Sequence, residues 1–152
     1  MQRRKFLRTA AIGTAGVASV STLAAPAIAQ SMPELKWRMA SSFPKSLDTL
    51  YGAGEVFAKY VAEMTDNKFQ IQVFASGEIV PGLQVLDAVQ AGTVELGHTA
   101  PYYYFGKDPA FAFGTAICFG GNMRQQTAWW HFGGGADAMA PLFKDYGCIG
   151  IL

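Results

Sequence analysis

The strongest constraint on this chain is an alternation of periods between residues 36 and 99. Residues 36–42 (KWRMASS) alternate and then turn small and polar, as a strand does when it runs into a loop. Residues 69–75 (FQIQVFA) set Phe69, Ile71 and Val73 against Gln70 and Gln72, the period-2 pattern of a strand half exposed to water, and residues 94–99 (VELGHT) predict a third strand. Between them lie two helical patterns. One covers about 47–65, with Leu50, Ala53/Gly54, Phe57, Val61 and Met64 spaced along one face and Asp66-Asn67 closing it. Ser46 reads as its N-cap. The other covers about 82–91, opened by Pro81 and Gly82 and closed by Gly92 at the C′ position. Strand, helix, strand, helix, strand with short links predicts an α/β fold, a mainly parallel sheet flanked by helices.

The second half is less periodic. Pro101-Tyr102-Tyr103-Tyr104-Phe105-Gly106 is an aromatic loop directly after the third strand. Residues 109–119 are apolar and fit either strand or helix. Helices are predicted over about 122–132 and 136–146, separated by Gly133-Gly134-Gly135, and residues 148–152 (CIGIL) read as a buried strand. A bare apolar strand is an unusual way for a domain to finish, because its unpaired edge invites association. The expectation is therefore a truncated lobe over 30–152, completed by a missing remainder.

Residues 1–29 are expected to stand outside the fold. Arg3, Arg4, Lys5 and Arg8 precede a run of small apolar residues, Ala10 to Ala25, and Ala27-Ile28-Ala29 forms an A-x-A cleavage pattern. The Arg3-Arg4 pair followed by Phe6-Leu7 resembles a twin-arginine export signal; an ordinary secretory leader is the alternative. Either way the product is expected to be soluble and periplasmic. Without this leader 8 bases face 11 acids, a net charge of −3. That balance argues against nucleic-acid binding, which needs a basic surface to neutralise phosphates.

Ligands of open α/β sheets sit at the carboxyl ends of the strands. Two loops leave strands there, Ser41–Ser46 and Ala100–Gly106. The first leads into a helix N-terminus, where free N–H groups attract an anion, and it carries Lys45; Pro44 keeps Phe43 out of helix. The second presents phenol hydroxyls on an apolar wall. Together they suit a small carboxylate or keto acid, although Tyr102 to Phe105 would equally pack a domain edge. His98 and His131, the two histidines, have no partner at metal-ligand spacing, and His98 reads as a strand residue with a satisfied hydrogen bond. Cys118 and Cys148 share an oxidising compartment, which leaves a bridge open. Glu78 is read as facing water, and neither Arg38 nor Arg124 as a carboxylate clamp. No nucleophile–base pair is evident.

At these residues the chain resembles the solute-binding proteins of TRAP transporters, the DctP family, in the branch that binds 2-oxo acids such as pyruvate, or lactate. The stretches that carry the likeness are WRMASSFPKSLDTLYG (37–52), FQIQVFASGEIVPGLQVLDAVQAGTVELGHTAPYYYFGKDP (69–109) and HFGGGADAM (131–139). The resemblance implies that this chain is the N-terminal lobe of a two-domain periplasmic binding protein that closes on its ligand and hands it to TRAP membrane permease subunits. It further implies that Ser41, Ser42 and Phe43 in one loop and Tyr102 and Tyr103 in the other line the cleft. The family's carboxylate-pairing Arg and the metal-coordinating Gln, Glu and Trp of this branch have no counterpart before Leu152. No cofactor is expected in this segment, and a metal ion bridging the substrate belongs to the full-length protein. A homodimer is allowed. The rival readings are a twin-arginine-exported redox enzyme and a truncated product without function.

Overall fold

The computed structural model describes residues 33–115 and 117–151; the leader and its cleavage pattern lie outside the described residues. Three parallel strands form one sheet: β1 (Leu35–Ser41), β2 (Phe69–Phe74) and β3 (Leu96–His98), in the order β2-β1-β3. Leu35 pairs with Phe69 and Ala40 with Phe74 on one side, while Met39 pairs with Leu96 and Ser41 with His98 on the other. Helix α1 (Asp48–Met64) connects β1 to β2. A 3-10 turn (Gly82–Gln84) and helix α2 (Val85–Gln90) connect β2 to β3. After β3 come 3-10 turns at Pro101–Tyr104 and Pro109–Gly114, then helices α3 (Met123–Phe132) and α4 (Gly135–Asp145). No described helix is long and apolar enough to cross a membrane.

This order places β1 between two crossovers that leave in opposite directions. Because such crossovers are right-handed, their helices cover opposite faces. Adjacent residues of β3 record this: Gly97 lies against Val85 and Val89 of α2, whereas the His98 ring lies against Gly54 of α1. Ala40, Val85, Ala88 and Val94 form the core on the α2 side. A point where neighbouring crossovers diverge opens a crevice at the carboxyl ends of the strands.

The α/β fold with its parallel sheet is as expected, and several boundaries move. Leu47, not Ser46, is the N-cap of α1, and it makes no side-chain cap bond. The buried face of α1 is Tyr51, Gly54 and Val61; Leu50, Phe57 and Met64 of the expected stripe are exposed. The face is thus led by Tyr51, one residue later than Leu50. The ambiguous segment 109–119 begins with the 3-10 turn at Pro109–Gly114, whose Phe111 is fully buried beside Leu86 and Tyr104. Gly92, with φ of +67°, ends α2 as the C′ residue: its N–H donates to Val89 O and that of Thr93 to Ala88 O.

Residues 148–151 are not a strand, contrary to the sequence reading. The Cys148 N–H donates to Phe143 O and the Gly147 N–H to Lys144 O, so this stretch begins as the C-terminal cap of α4. Ile149 and Ile151 are exposed rather than buried. A short apolar run reads alike in either conformation, and here the helix end claims its first backbone group.

Candidate functional site

The two loops meet at one edge of the sheet. The Ser42 N–H donates to His98 O (2.8 Å), which continues the β1–β3 ladder one step past the strand. The ring of Phe43 then lies 5.1 Å from the His98 ring, edge-on, and 6.3 Å from the ring of Tyr103. Phe43, Tyr51 and Ala75 form a buried cluster against which Val73, Ala100 and Tyr103 pack. Tyr102 stands edge-on to Tyr103 at 4.6 Å and is 43 % exposed. Beside Tyr103 the surface opens into a depression of about 460 Å³, lined also by Ser42, Ser76, Gly82 and Gln84. All five expected site residues, Ser41, Ser42, Phe43, Tyr102 and Tyr103, are therefore brought to the same edge.

They are not equivalent there. Ser42 Oγ lies 2.6 Å from Gly82 O and 2.6 Å from Thr99 Oγ1. A carbonyl can only accept, so the single Ser42 hydrogen goes to Gly82, and Thr99 donates to Ser42. Tyr104 Oη lies 2.9 Å from Thr99 Oγ1 and accepts the Leu86 N–H at 3.1 Å, so its hydrogen goes to Thr99. The result is a directional relay, Leu86 N–H to Tyr104 to Thr99 to Ser42 to Gly82 O, that ties both loops to the start of α2. Ser42 holds the wall together with its hydroxyl hydrogen, which is not free for a ligand. Ser41 is 1 % exposed and its oxygen accepts the Phe43 N–H at 3.1 Å. Phe43 is itself buried, beneath Tyr103, so the groups of the expected set that face outward are the exposed Tyr102 and the half-buried Tyr103.

The electrostatics also differ from expectation. Lys45 Nζ pairs with Glu78 Oε1 at 2.7 Å, and Glu78 Oε2 accepts the Ala75 N–H, so Glu78 is engaged rather than merely hydrated. The hydrogen bond with Glu78 holds the Lys45 ammonium above its ordinary range, and the same bond followed by the Ala75 N–H holds Glu78 below its own. The anion site expected at the α1 N-terminus is not built. Asp48 brings negative charge to the first turn and accepts the Thr49 N–H, and Lys45 is already neutralised. Arg38 pairs with Glu95 at 3.3 Å, in keeping with its not being a clamp. The Tyr102 phenol, as hydrogen-bond partner, and then burial push the Tyr103 phenol up; burial does the same to Tyr51. The wall therefore offers neutral phenols and an aromatic surface, and the one cation in its loops is already paired.

His98 has the satisfied hydrogen bond expected of it: Nδ1 lies 3.1 Å from Ser41 Oγ. This is a serine–histidine contact that sequence reading did not foresee. It lacks the features of a nucleophile–base pair, because Ser41 is buried and, among the described residues, no carboxylate is hydrogen-bonded to the ring. Cys118 and Cys148 are both free thiols. Among the described residues no three His, Cys, Asp or Glu side chains gather in a way that would hold a metal ion. A smaller cavity of about 160 Å³ lies behind Tyr104, between α2, Phe111, Trp130 and residues 148–151. Its lining is apolar apart from Thr99 and Tyr104, whose hydroxyls the relay already uses.

Sequence reasoning missed Tyr51, Gly82, Thr99 and Tyr104 as parts of this wall. No spacing marks Gly82, but the structure shows why it is glycine: a Cβ there would sit 2.7 Å from Ser42 O and 2.8 Å from Ser76 Oγ, so the turn accepts only glycine without moving.

Comparison with known proteins places this edge in context. Residues 40–151 match the bacterial extracellular solute-binding proteins, family 7 (DctP). The chain is 53 % identical over 151 residues to the monocarboxylate 2-oxoacid-binding periplasmic protein of Nostoc sp. (strain PCC 7120), covering 98 % of this chain and 41 % of that protein. It thus spans about two fifths of that relative's length. Among solved structures, a TRAP transporter solute-binding protein from Bordetella bronchiseptica, a dimer with calcium and picolinate bound at one site and the other apo, superimposes with a TM-score of 0.73 at 47 % identity, over 75 % of this chain and 34 % of that one. A TRAP periplasmic solute-binding protein from Pseudoalteromonas atlantica with bound sodium and pyruvate gives 0.72 at 32 % identity, over 75 % and 35 %. On the family match over most of its length and the shared lobe fold, the chain belongs to the DctP family of bacterial extracellular solute-binding proteins.

Proposed function

We propose that this chain forms the N-terminal wall of a periplasmic TRAP-type receptor for a small carboxylate, a 2-oxo acid such as pyruvate, or lactate. One observation carries the reading: the first loop and the aromatic loop meet at the switch point of the sheet, where buried Phe43 packs against Tyr103 and Tyr103 borders an open depression together with Ser42. An aromatic surface with phenol donors suits the short carbon chain and keto or hydroxy oxygen of such an acid. The binding of 2-oxo acids by the Nostoc relative, and of pyruvate by the Pseudoalteromonas protein, supports the same class.

The wall has no free cation for the carboxylate, so the charge-pairing group and any metal ligands come from a second lobe, of the kind that the greater length of the relatives accommodates. The protein acts by binding and hand-over to membrane permease subunits, without chemistry of its own. Residues 1–29 direct it to the periplasm by the twin-arginine route and are removed. Copies associate as a dimer, as the Bordetella protein does. No contact among the described residues favours the redox-enzyme alternative.

The test is a chimera in which residues 33–152 are followed by the remaining portion of the Nostoc relative. Calorimetry should detect pyruvate binding by the chimera and far weaker binding by the 152-residue chain alone. A chimera that folds cooperatively but ignores pyruvate, lactate and longer 2-oxo acids would overturn the reading.

A further inference from the structure

The contact between Ser41 and His98 is not used by the function proposed above. Ser41 Oγ carries one hydrogen and receives the Phe43 N–H at 3.1 Å. Its other neighbour within hydrogen-bond distance is His98 Nδ1, also at 3.1 Å. Ser41 is 1 % exposed, so water supplies no alternative acceptor. If Nδ1 carried a hydrogen, the Ser41 oxygen would face two donors while its own hydrogen pointed at nothing. Satisfying all three groups requires a neutral ring protonated on Nε2, with Nδ1 accepting from Ser41.

The ring is also fixed in place. Gly54 of α1 approaches so closely that a Cβ there would lie 3.0 Å from Nδ1 and 3.4 Å from Met39 Sδ. The Phe43 ring closes another side. The neighbours that meet His98 from β1, from the loop and from α1 are Ser41, Phe43 and Gly54, all uncharged.

We propose that His98 is the positioning residue of the Ser41–Phe43 turn: its Nδ1 takes the Ser41 hydrogen, which frees the Ser41 oxygen to hold the Phe43 N–H and so sets the Phe43 ring on the wall. That the Tyr103 wall packed on this ring meets a carboxylate ligand rests on the proposed function; the positioning itself does not. Burial independently favours the neutral imidazole. A proton added to Nδ1 removes the acceptor, strands the Ser41 hydrogen and loosens the turn.

The test needs no ligand at its first stage. Long-range proton–nitrogen NMR spectra of the full chain at neutral pH should show His98 as the Nε2–H tautomer, with exposed His131 as an internal reference, and S41A should shift the His98 Nδ1 resonance. Amide exchange at Phe43 should accelerate about 10-fold in H98A and H98Q, as expected for loss of one buried hydrogen bond. H98N should restore protection, because the Asn side-chain oxygen can stand where Nδ1 stood, whereas Gln reaches toward Nε2. An Nδ1–H tautomer, an imidazolium at neutral pH, or Phe43 protection unchanged in H98A would overturn the proposal. So would equal behaviour of H98N and H98Q. In the chimera, pyruvate affinity should fall about 10-fold in H98A and recover in H98N. If wild-type chimera ignores pyruvate while the tautomer and exchange results hold, the ligand reading fails and the positioning role stands.

Discussion

The hydroxyl oxygens of Ser42 and Thr99 lie 2.6 Å apart, one at the end of the first strand and the other at the end of the third. This contact joins the two loops on which the binding reading depends. It makes them one rigid wall rather than two independent segments, with Tyr104 and Gly82 as the ends of the same chain of hydrogen bonds.

Thr99→Val tests that chain where it is most exposed to damage. Valine keeps the shape but leaves the Tyr104 hydrogen without an acceptor and Ser42 without its donor. A loss of about 1–3 kcal/mol is expected. Tyr104→Phe orphans only the Leu86 N–H and Thr99 oxygen near a helix start and should cost less, about 1 kcal/mol. Urea unfolding of both variants, followed by tryptophan fluorescence, measures the difference; a larger loss in Tyr104→Phe would contradict the inferred direction of the relay.

Gly82→Ala addresses the approach of the 3-10 turn to the first loop. The added methyl would meet Ser42 O and Ser76 Oγ at 2.7 and 2.8 Å, and backbone cannot yield cheaply. Overpacking of this kind costs about 1–3 kcal/mol. By contrast Gly52→Ala meets nothing within 4 Å on the same scale of change, and should be neutral or stabilising in a helix. Thermal unfolding of the pair separates a steric effect from a general intolerance of glycine loss.

Stability should rise from mildly acidic to neutral pH. His98 is held below its ordinary value of 6.5 by burial, so the unfolded chain binds a proton more readily than the fold does. Stability is therefore full above the ordinary value and declines as pH falls below it. Glu78 and Glu95 are also held low, Glu78 by Lys45 first and Glu95 first by the Arg38 N–H. Their contribution is present above the ordinary carboxylate range and lost below it. H98N should abolish the upper step of a pH-dependent urea midpoint and keep the lower one. A midpoint that does not change between pH 7 and 5.5 would contradict the buried, neutral imidazole.

The sheet, and the edge at which the two loops meet, were legible in the sequence because they follow from periodicity. Strands at 36–42, 69–75 and 94–99 and two intervening helices fix a parallel α/β arrangement, and its carboxyl edge is where loops 41–46 and 100–106 had to emerge. What each side chain does there was not legible. Ser42 and Tyr103 were both expected to line the cleft, but the hydrogen of Ser42 is spent on Gly82 O, a partner forty residues away that no spacing reveals. Lys45 read as a free charge for the same reason, since Glu78 reaches it only across the turn after β2. The role of residues 148–151 was lost to a local competitor, the α4 cap that takes the Cys148 N–H.

Tyr103→Phe in the chimera removes one phenol and leaves the Phe43 contact intact. If that hydroxyl touches the ligand, pyruvate affinity falls by about 1 kcal/mol or more. Calorimetry reads this directly, and unchanged affinity removes Tyr103 from the site.

The most direct test of the wall is the map of amide shifts when pyruvate is titrated into the isotope-labelled chimera. Residues 42–45, 76–78, 82–84 and 102–104 should move together and with one dissociation constant. Shifts confined to the cavity behind Tyr104, or spread over α3 and α4 while these four segments stay still, would contradict a ligand wall at the end of the sheet.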